Sequence, residues 1–173
     1  MTHETRRLLL LRHAKAEPAG AVTDQMRPLA LRGRKQARSV ADLLIEHNIV
    51  PDRVLVSAAV RTKQTWELLA GGLDSEPTTV SFHEELYVAG VQDVLQLVAE
   101  QDSRTILVVG HEPTMSAVAE QLAGEGSDSD AYNQVRLGVG TATLCVMESD
   151  LPFAQWTARS VALTHVLRPE DDA

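Results

Sequence analysis

The sequence predicts an α/β fold: a three-layer sandwich with a mostly parallel central sheet and helices on both faces. Three observations carry this. Short continuous apolar runs, "RLLLLR" (7–12), "RVLVSA" (53–58) and "TILVVG" (105–110), have the composition of strands buried on both faces. Segments with apolar residues at helical spacing separate them. Run and helix alternate, which implies βαβ units with right-handed crossovers and helices covering each side of the sheet.

In chain order, the first strand is 7–12. Residues 32–48 form a helix, because Ala37, Val40, Ala41, Leu44 and Ile45 recur at i, i+3, i+4, i+7 and i+8. The second strand, 53–58, feeds a helix from about Val60 to Ala70 that Gly71 and Gly72 close. "TVSF" (79–82) is a short strand, and Val91, Val94, Leu95 and Val98 mark the next helix. After the strand 105–110, Pro113 opens a helix at a favoured first-turn position, with Met115, Val118, Ala119 and Leu122 on one face. "GEGSDSDAYNQVRLG" (124–138) reads as a polar loop. Strands 141–148 and 157–166 follow, and the tail after about residue 167 is expected to fray. No repeat, long linker or low-complexity tract interrupts the 173 residues, so 1–173 is expected to be a single domain.

A hydrophobic fraction of 44% supports a core without staples. The lone Cys145 has no internal disulfide partner and reads as a small buried hydrophobe. No run approaches the roughly 18 apolar residues of a membrane span. The four leucines near the N-terminus are too few for the apolar core of a signal peptide, so a cytoplasmic protein is expected. Charge is unevenly placed: residues 1–63 hold 12 Lys/Arg and 6 Asp/Glu, whereas residues 64–173 hold 4 and 18. A basic first third on an acidic chain suits an anion site or a nucleic-acid face, or simply solvated helix faces. Only 3% aromatic residues and a pI near 5.2 argue against nucleic acid.

Three strand ends carry the chemistry. The first gives Arg12 and His13, the second Ser57 and then Arg61, and the fourth Gly110, His111, Glu112 and Pro113. In open α/β sheets ligands bind beyond the carboxyl ends of the strands. A parallel sheet therefore gathers two arginines and two histidines in one pocket. Paired guanidinium groups suit phosphate oxygens and stay charged at any relevant pH. They also depress the pKa of His13, leaving a neutral imidazole able to attack phosphorus. Each residue alone has a bland reading as a structural histidine, a solvated arginine or a plain turn. A metal held by His13, His111 and Glu84 or Glu85 is opposed by the arginines and by the lack of short ligand spacing.

The stretches "LLLLRHAKAE", "SAAVRTKQT" and "VVGHEPT", in that order, resemble the motifs of the histidine phosphatase (phosphoglycerate-mutase-like) superfamily. The resemblance spans nearly the whole chain. "MRPLALRGRKQARSVADLL" and the overall length are most similar to SixA-type phosphohistidine phosphatases. The resemblance implies the phosphoglycerate-mutase-like fold and a phosphatase without cofactor or metal. It implies His13 as the nucleophile that becomes phosphorylated. Arg12, His13, Arg61 and His111 would form the phosphate-binding set, with His111 donating a hydrogen bond to the transferring group. Glu85, placed before "LYVAG", would protonate the leaving group, with Glu84 as the alternative. The chain departs from the family pattern at Ala14, where Gly is usual, at Ala58, where Pro is frequent, and at Ala30, where a Thr usually caps the next helix.

Only 25 residues separate Glu85 from His111, room for one helix and one strand. Relatives acting on small sugars or phosphoglycerate commonly insert a long helical cover there. An open pocket favours a phosphohistidine on a protein surface, with phosphate as product and no nucleic acid or membrane partner. Small phosphorylated metabolites are the alternative substrates, with Lys15, Arg27 and Lys63 as candidate contacts for a second anionic group. A non-catalytic anion-binding module is the alternative of another class.

Overall fold

The computed structural model describes residues 4–77 and 79–170. Its elements are β1 (Arg6–Arg12), α1 (Leu31–Glu46), β2 (Arg53–Ser57), α2 (Val60–Ala70), β3 (Thr79–His83), α3 (Val91–Ala99), β4 (Thr105–Gly110), α4 (Thr114–Leu122), α5 (Ser129–Arg136), β5 (Leu144–Ser149) and β6 (Ala162–Leu167). The six strands form one sheet in the order β3-β2-β4-β1-β5-β6. The ladders β2–β3, β2–β4 and β1–β4 are parallel, whereas β1–β5 and β5–β6 are antiparallel. The sheet is therefore mixed, with β5 alone reversed.

The leucine run shows why the sheet lies inside. Successive side chains of a strand point to opposite faces. Leu8 and Leu10 join a core with α3, α4 and α5, while Leu9 and Leu11 join a second core with α1 and α2. Ile106 and Val108 of β4 follow the first pair, and Leu107 and Val109 follow the second. All four leucines are fully buried, each contributing about 1.5–3 kcal/mol of transfer free energy. Helices thus cover both faces and make the three layers.

Several boundaries differ from the sequence reading, for local reasons. Residues 124–138 are not all loop: Asp128 caps α5 by accepting from the Ala131 amide at 2.8 Å, and Ala131 and Val135 bury one helix face. Two apolar anchors among Ser, Asp and Asn gave too weak a periodic signal. β5 begins only at Leu144, because Ala142 adopts φ 58°. Residues 157–160 close a turn through the Thr157 amide and the Ser160 hydroxyl, at 2.8 Å, before β6 begins. Pro113 precedes the first helical residue of α4 rather than occupying it. Of the tail expected to fray, Arg168 Nε donates to the Thr141 carbonyl at 3.1 Å and Pro169 is buried, while 171–173 lie outside the described residues.

Candidate active site

The register of the sheet brings the chemistry together. Arg12 pairs with Gly110 across the β1–β4 ladder, so the next residues, His13 and His111, emerge side by side. Their ring centroids are 5.4 Å apart. Ser57, the last residue of β2, is wholly buried and lies 2.8 Å from His111 Nε2 through its hydroxyl. Arg61 comes from the first turn of α2.

The loop after β1 is pinned on every side. The His13 amide donates to the Gly110 carbonyl at 3.0 Å, and the Ala142 amide reaches the carbonyls of both Arg12 and His13. The Ala14 amide donates to the Thr65 hydroxyl at 3.0 Å, and the Lys15 amide to Gln36 Oε1 at 3.0 Å. Gly33 of α1 packs directly on the Lys15 backbone. Ala14 is fully buried in the α1/α2 core and is absent from the positive-φ residues, so its Cβ is accommodated without strain. Ala30 offers no side-chain cap to α1, but its own amide donates to the Lys15 carbonyl at 2.9 Å.

These contacts fix the state of the imidazole. His13 Nδ1 lies 2.7 Å from the Ala14 carbonyl, an acceptor only, so Nδ1 carries the proton. Nε2 then keeps its lone pair, toward which Arg61 Nε donates at 3.3 Å. Burial, then the charges of Arg61, Arg12 and Arg27, lower the His13 pKa to about 4 against the partial support of the Ala14 carbonyl. At neutral pH the ring is uncharged, with an unprotonated nitrogen beside two arginines. The Ser57 hydroxyl can donate to His111 Nε2, which leaves Nδ1 of His111 protonated. Burial, then His13 and Arg61, lower the His111 pKa to about 3.

The arginines differ in their partners. Arg12 Nη1 donates to the Val139 carbonyl at 2.8 Å, and burial pulls its pKa down while Glu112 supports its charge. Glu112 accepts from the Ser116 amide at 2.8 Å and from the Val139 amide at 3.2 Å, tying α4 to the loop that holds Arg12. Arg12 Nε and His111 Nδ1 are buried and lack a hydrogen-bond partner among the described residues. A buried donor without an acceptor is costly, by about 1–3 kcal/mol, and an oxyanion supplies acceptors. Arg61, nearly fully buried, donates to the Asp24 carbonyl at 2.7 Å and to its carboxylate at 3.0 Å. Asp24 also accepts from Arg27 Nε at 2.9 Å and from the Tyr87 hydroxyl. The tyrosine hydrogen bond, then Arg27 and Arg61, hold the Asp24 carboxyl well below its usual range.

Asp24 and Tyr87 are the residues sequence reasoning missed. The only local signal was Asp24 three positions before Arg27 in a polar stretch. Glu85 is the expected proton donor. It is exposed, its carboxylate lies 3.1 Å from His83 Nδ1, and backbone and His83 hydrogen bonding lower its pKa. Glu84 instead lines a cleft with Gln25, Ala58, Ala59 and Tyr87, beside the start of α2. Two of the three cations considered for a second anionic group are engaged: Arg27 with Asp24 and the Glu17 carbonyl, and Lys63 over the Phe82 ring at 5.7 Å. Lys15 is exposed. Among the described residues no three His, Cys, Asp or Glu side chains converge as a metal-binding group, so His13, His111 and a glutamate do not form one. Cys145 is buried, with its thiol pushed up to about 12, and no helix among the described residues is long and apolar enough to cross a membrane.

The depressed histidine makes stability depend on pH. An unfolded imidazole titrates near 6.5, whereas folded His13 titrates near 4. Between these values the unfolded chain binds more protons, so acidification destabilises the fold. His13 is expected to account for on the order of 2 kcal/mol lost between pH 6.5 and 5. Urea unfolding of wild type and His13→Asn across this window checks it: the variant should show the shallower slope.

The histidine phosphatase superfamily (branch 1) profile matches residues 8–88. Phosphohistidine phosphatase SixA of Escherichia coli K12 is 31% identical over 123 residues, covering 68% of this chain and 75% of that protein. A structure assigned to phosphohistidine phosphatase SixA from Nakamurella multipartitia superposes with a TM-score of 0.81 at 32% identity, covering 95% of this chain and 96% of that one. The protein histidine phosphatase SixA complexed with tungstate shares the fold, with a TM-score of 0.76 at 21% identity over 94% of this chain and 97% of that one. Sheet, strand-end motifs and relatives agree: this chain belongs to the histidine phosphatase superfamily, is a phosphatase, and lies close to the SixA-type members.

Proposed function

We propose that this protein removes phosphate from phosphohistidine on a protein, through a phosphohistidine intermediate at His13. The observation that carries the reading is the His13 tautomer, with Nδ1–H committed to the Ala14 carbonyl and Nε2 unprotonated beside Arg61. In the first step the Nε2 lone pair attacks phosphorus in line. The P–N bond to the substrate imidazole, whose other ring nitrogen already carries a proton, breaks, and the departing nitrogen takes the electron pair and leaves as neutral imidazole. In the second step water attacks the phosphorus of phospho-His13, releasing phosphate and restoring the neutral ring. The phosphoryl charge lies on its non-bridging oxygens, so catalysis is mostly positioning and electrostatics. Arg12, Arg61 and His111 Nδ1–H supply the donors, and Asp24 holds Arg61 in place. SixA bound to tungstate supports an oxyanion pocket in this fold.

The leaving group explains why a weak acid suffices. Imidazole departs as a group whose conjugate acid has a pKa near 6.5, whereas an alkoxide needs a proton from the enzyme. Glu85 is exposed and bonded to His83, and Glu84 lines a cleft with Gln25, Ala58, Ala59 and Tyr87. Such a site suits a phosphoramidate better than a phosphoester. The short connection between Glu85 and His111, which becomes α3 and β4 with no added cover, leaves the pocket open to a protein surface. One preparation should be assayed on a phosphohistidine protein and on a panel of small phosphoesters. The expected result is faster turnover of phosphohistidine; turnover confined to small phosphoesters overturns the reading.

A further inference from the structure

We propose that the exposed face of α1, carrying Arg34, Lys35 and Arg38, is a docking surface for an acidic face of the protein that bears the phosphohistidine. The inference rests on the phosphohistidine reading of the site.

The observation is that α1 is charged against its own dipole. A helix is stabilised by anions in its first turn and cations in its last. Here Arg32, Arg34, Lys35 and Arg38 fill the first half and Asp42 and Glu46 the second, all six exposed. The first turn holds no acidic residue, the last turn holds no basic one, and Ala30 gives no side-chain cap. Arg34 and Arg38 are also like charges at i,i+4, which is unfavourable on a helix surface. Arg34, Lys35 and Arg38 form no ion pair among the described residues. Apart from the favourable spacing of Arg38 and Asp42 at i,i+4, folding does not explain this arrangement; it opposes the helix.

The placement gives it a use. The start of α1 is joined to the loop carrying His13: Gly33 packs on the Lys15 backbone, and Gln36 accepts from the Lys15 amide. Gly33 and Gln36 are buried while Arg34, Lys35 and Arg38 face solvent on the outer side of the same two turns. Leu31, 73% exposed, heads this face and adds an apolar contact beside the charges. On this proposal, the surface of a protein presenting a phosphohistidine to His13 lies over this end of α1, which Gly33 and Gln36 join to the His13 loop. Charges at the edge of an interface act mainly on the rate of association and its salt dependence. The complementary partner is therefore acidic around the phosphohistidine. A small substrate that fills only the pocket does not reach these side chains.

The test uses two phosphohistidine peptides of equal length, one flanked by Asp and Glu and one by neutral residues, together with phosphoramidate as a small substrate. Wild type should favour the acidic peptide about tenfold in kcat/KM at low salt, and the preference should shrink as salt rises. The triple variant Arg34→Gln, Lys35→Gln, Arg38→Gln should lose the preference while keeping wild-type kcat/KM on the neutral peptide and on phosphoramidate. Equal use of the two peptides by wild type, or a preference that survives in the variant, overturns the docking surface and leaves the phosphohistidine reading standing. An equal drop on all three substrates overturns it as well, by assigning the charges to the pocket's field. If wild type leaves both peptides untouched, the phosphohistidine reading falls and the docking surface with it.

Discussion

Replacing His13 with Ala is expected to lower kcat/KM by about 10⁴-fold or more, on the scale of losing a covalent nucleophile, and to remove acid-labile phosphate from the protein after exposure to a phospho-donor. Arg12, Arg61 and His111 remain in the variant, so phosphate binding is weakened far less than turnover. That split separates a catalyst from a binding module. A pocket that only holds anions loses affinity when His13 is removed but never carries covalent phosphate. Quench-flow labelling of both proteins, with circular dichroism to confirm folding, makes the comparison. Equal labelling of the two would sink the assignment of His13 as nucleophile. The neutral ring is central here: with its pKa lowered to about 4, the imidazole is uncharged throughout the physiological range. A protonated imidazole has no lone pair to offer phosphorus.

Gly33→Ala is expected to destabilise the protein by on the order of 3 kcal/mol and to reduce kcat. In an ordinary helix interior the same change is stabilising by about 0.5–1 kcal/mol, because glycine loses more conformational freedom on folding. The sign reverses here because a Cβ on Gly33 would stand 2.0 Å from the Lys15 carbonyl oxygen and 2.8 Å from its carbonyl carbon. Both are backbone atoms, and no side-chain rotation relieves the overlap. Either α1 retreats from the sheet, opening the core around Ala37 and Val40, or the 13–15 loop shifts. The second outcome moves the Ala14 carbonyl that fixes the His13 tautomer. Urea unfolding and steady-state kinetics on one preparation read both effects. A stabilised variant with full activity would contradict the close packing of α1 on the His13 loop.

The contrast between α1 and α5 shows what was legible in the sequence. α1 carries a long apolar period and was visible; α5 has only Ala131 and Val135 as buried anchors and depends on packing and the Asp128 cap. The same division holds at the site. Arg12, His13, Arg61 and His111 could be gathered in advance because each follows an apolar strand, and parallel strands deliver their carboxyl ends to one edge. Asp24 could not, because it meets Arg61 and Tyr87 across 37 and 63 positions of chain with no periodic pattern linking them.

The sequence by itself determined the layered architecture, the sheet edge that gathers the candidate site and the cations and imidazoles found there. Burial of apolar runs and strand direction are local consequences of composition and order. Only the tertiary structure decided which nitrogen of His13 is unprotonated, that Asp24 rather than another carboxylate grips Arg61, and that Glu84 rather than Glu85 borders the cleft. The grip of Asp24 on Arg61 joins residues 37 positions apart, and the Ala14 carbonyl that sets the His13 tautomer is held in place by Thr65 and Gln36 from distant helices. A tautomer or a carboxylate's partner is a property of three-dimensional proximity, which residue spacing does not encode.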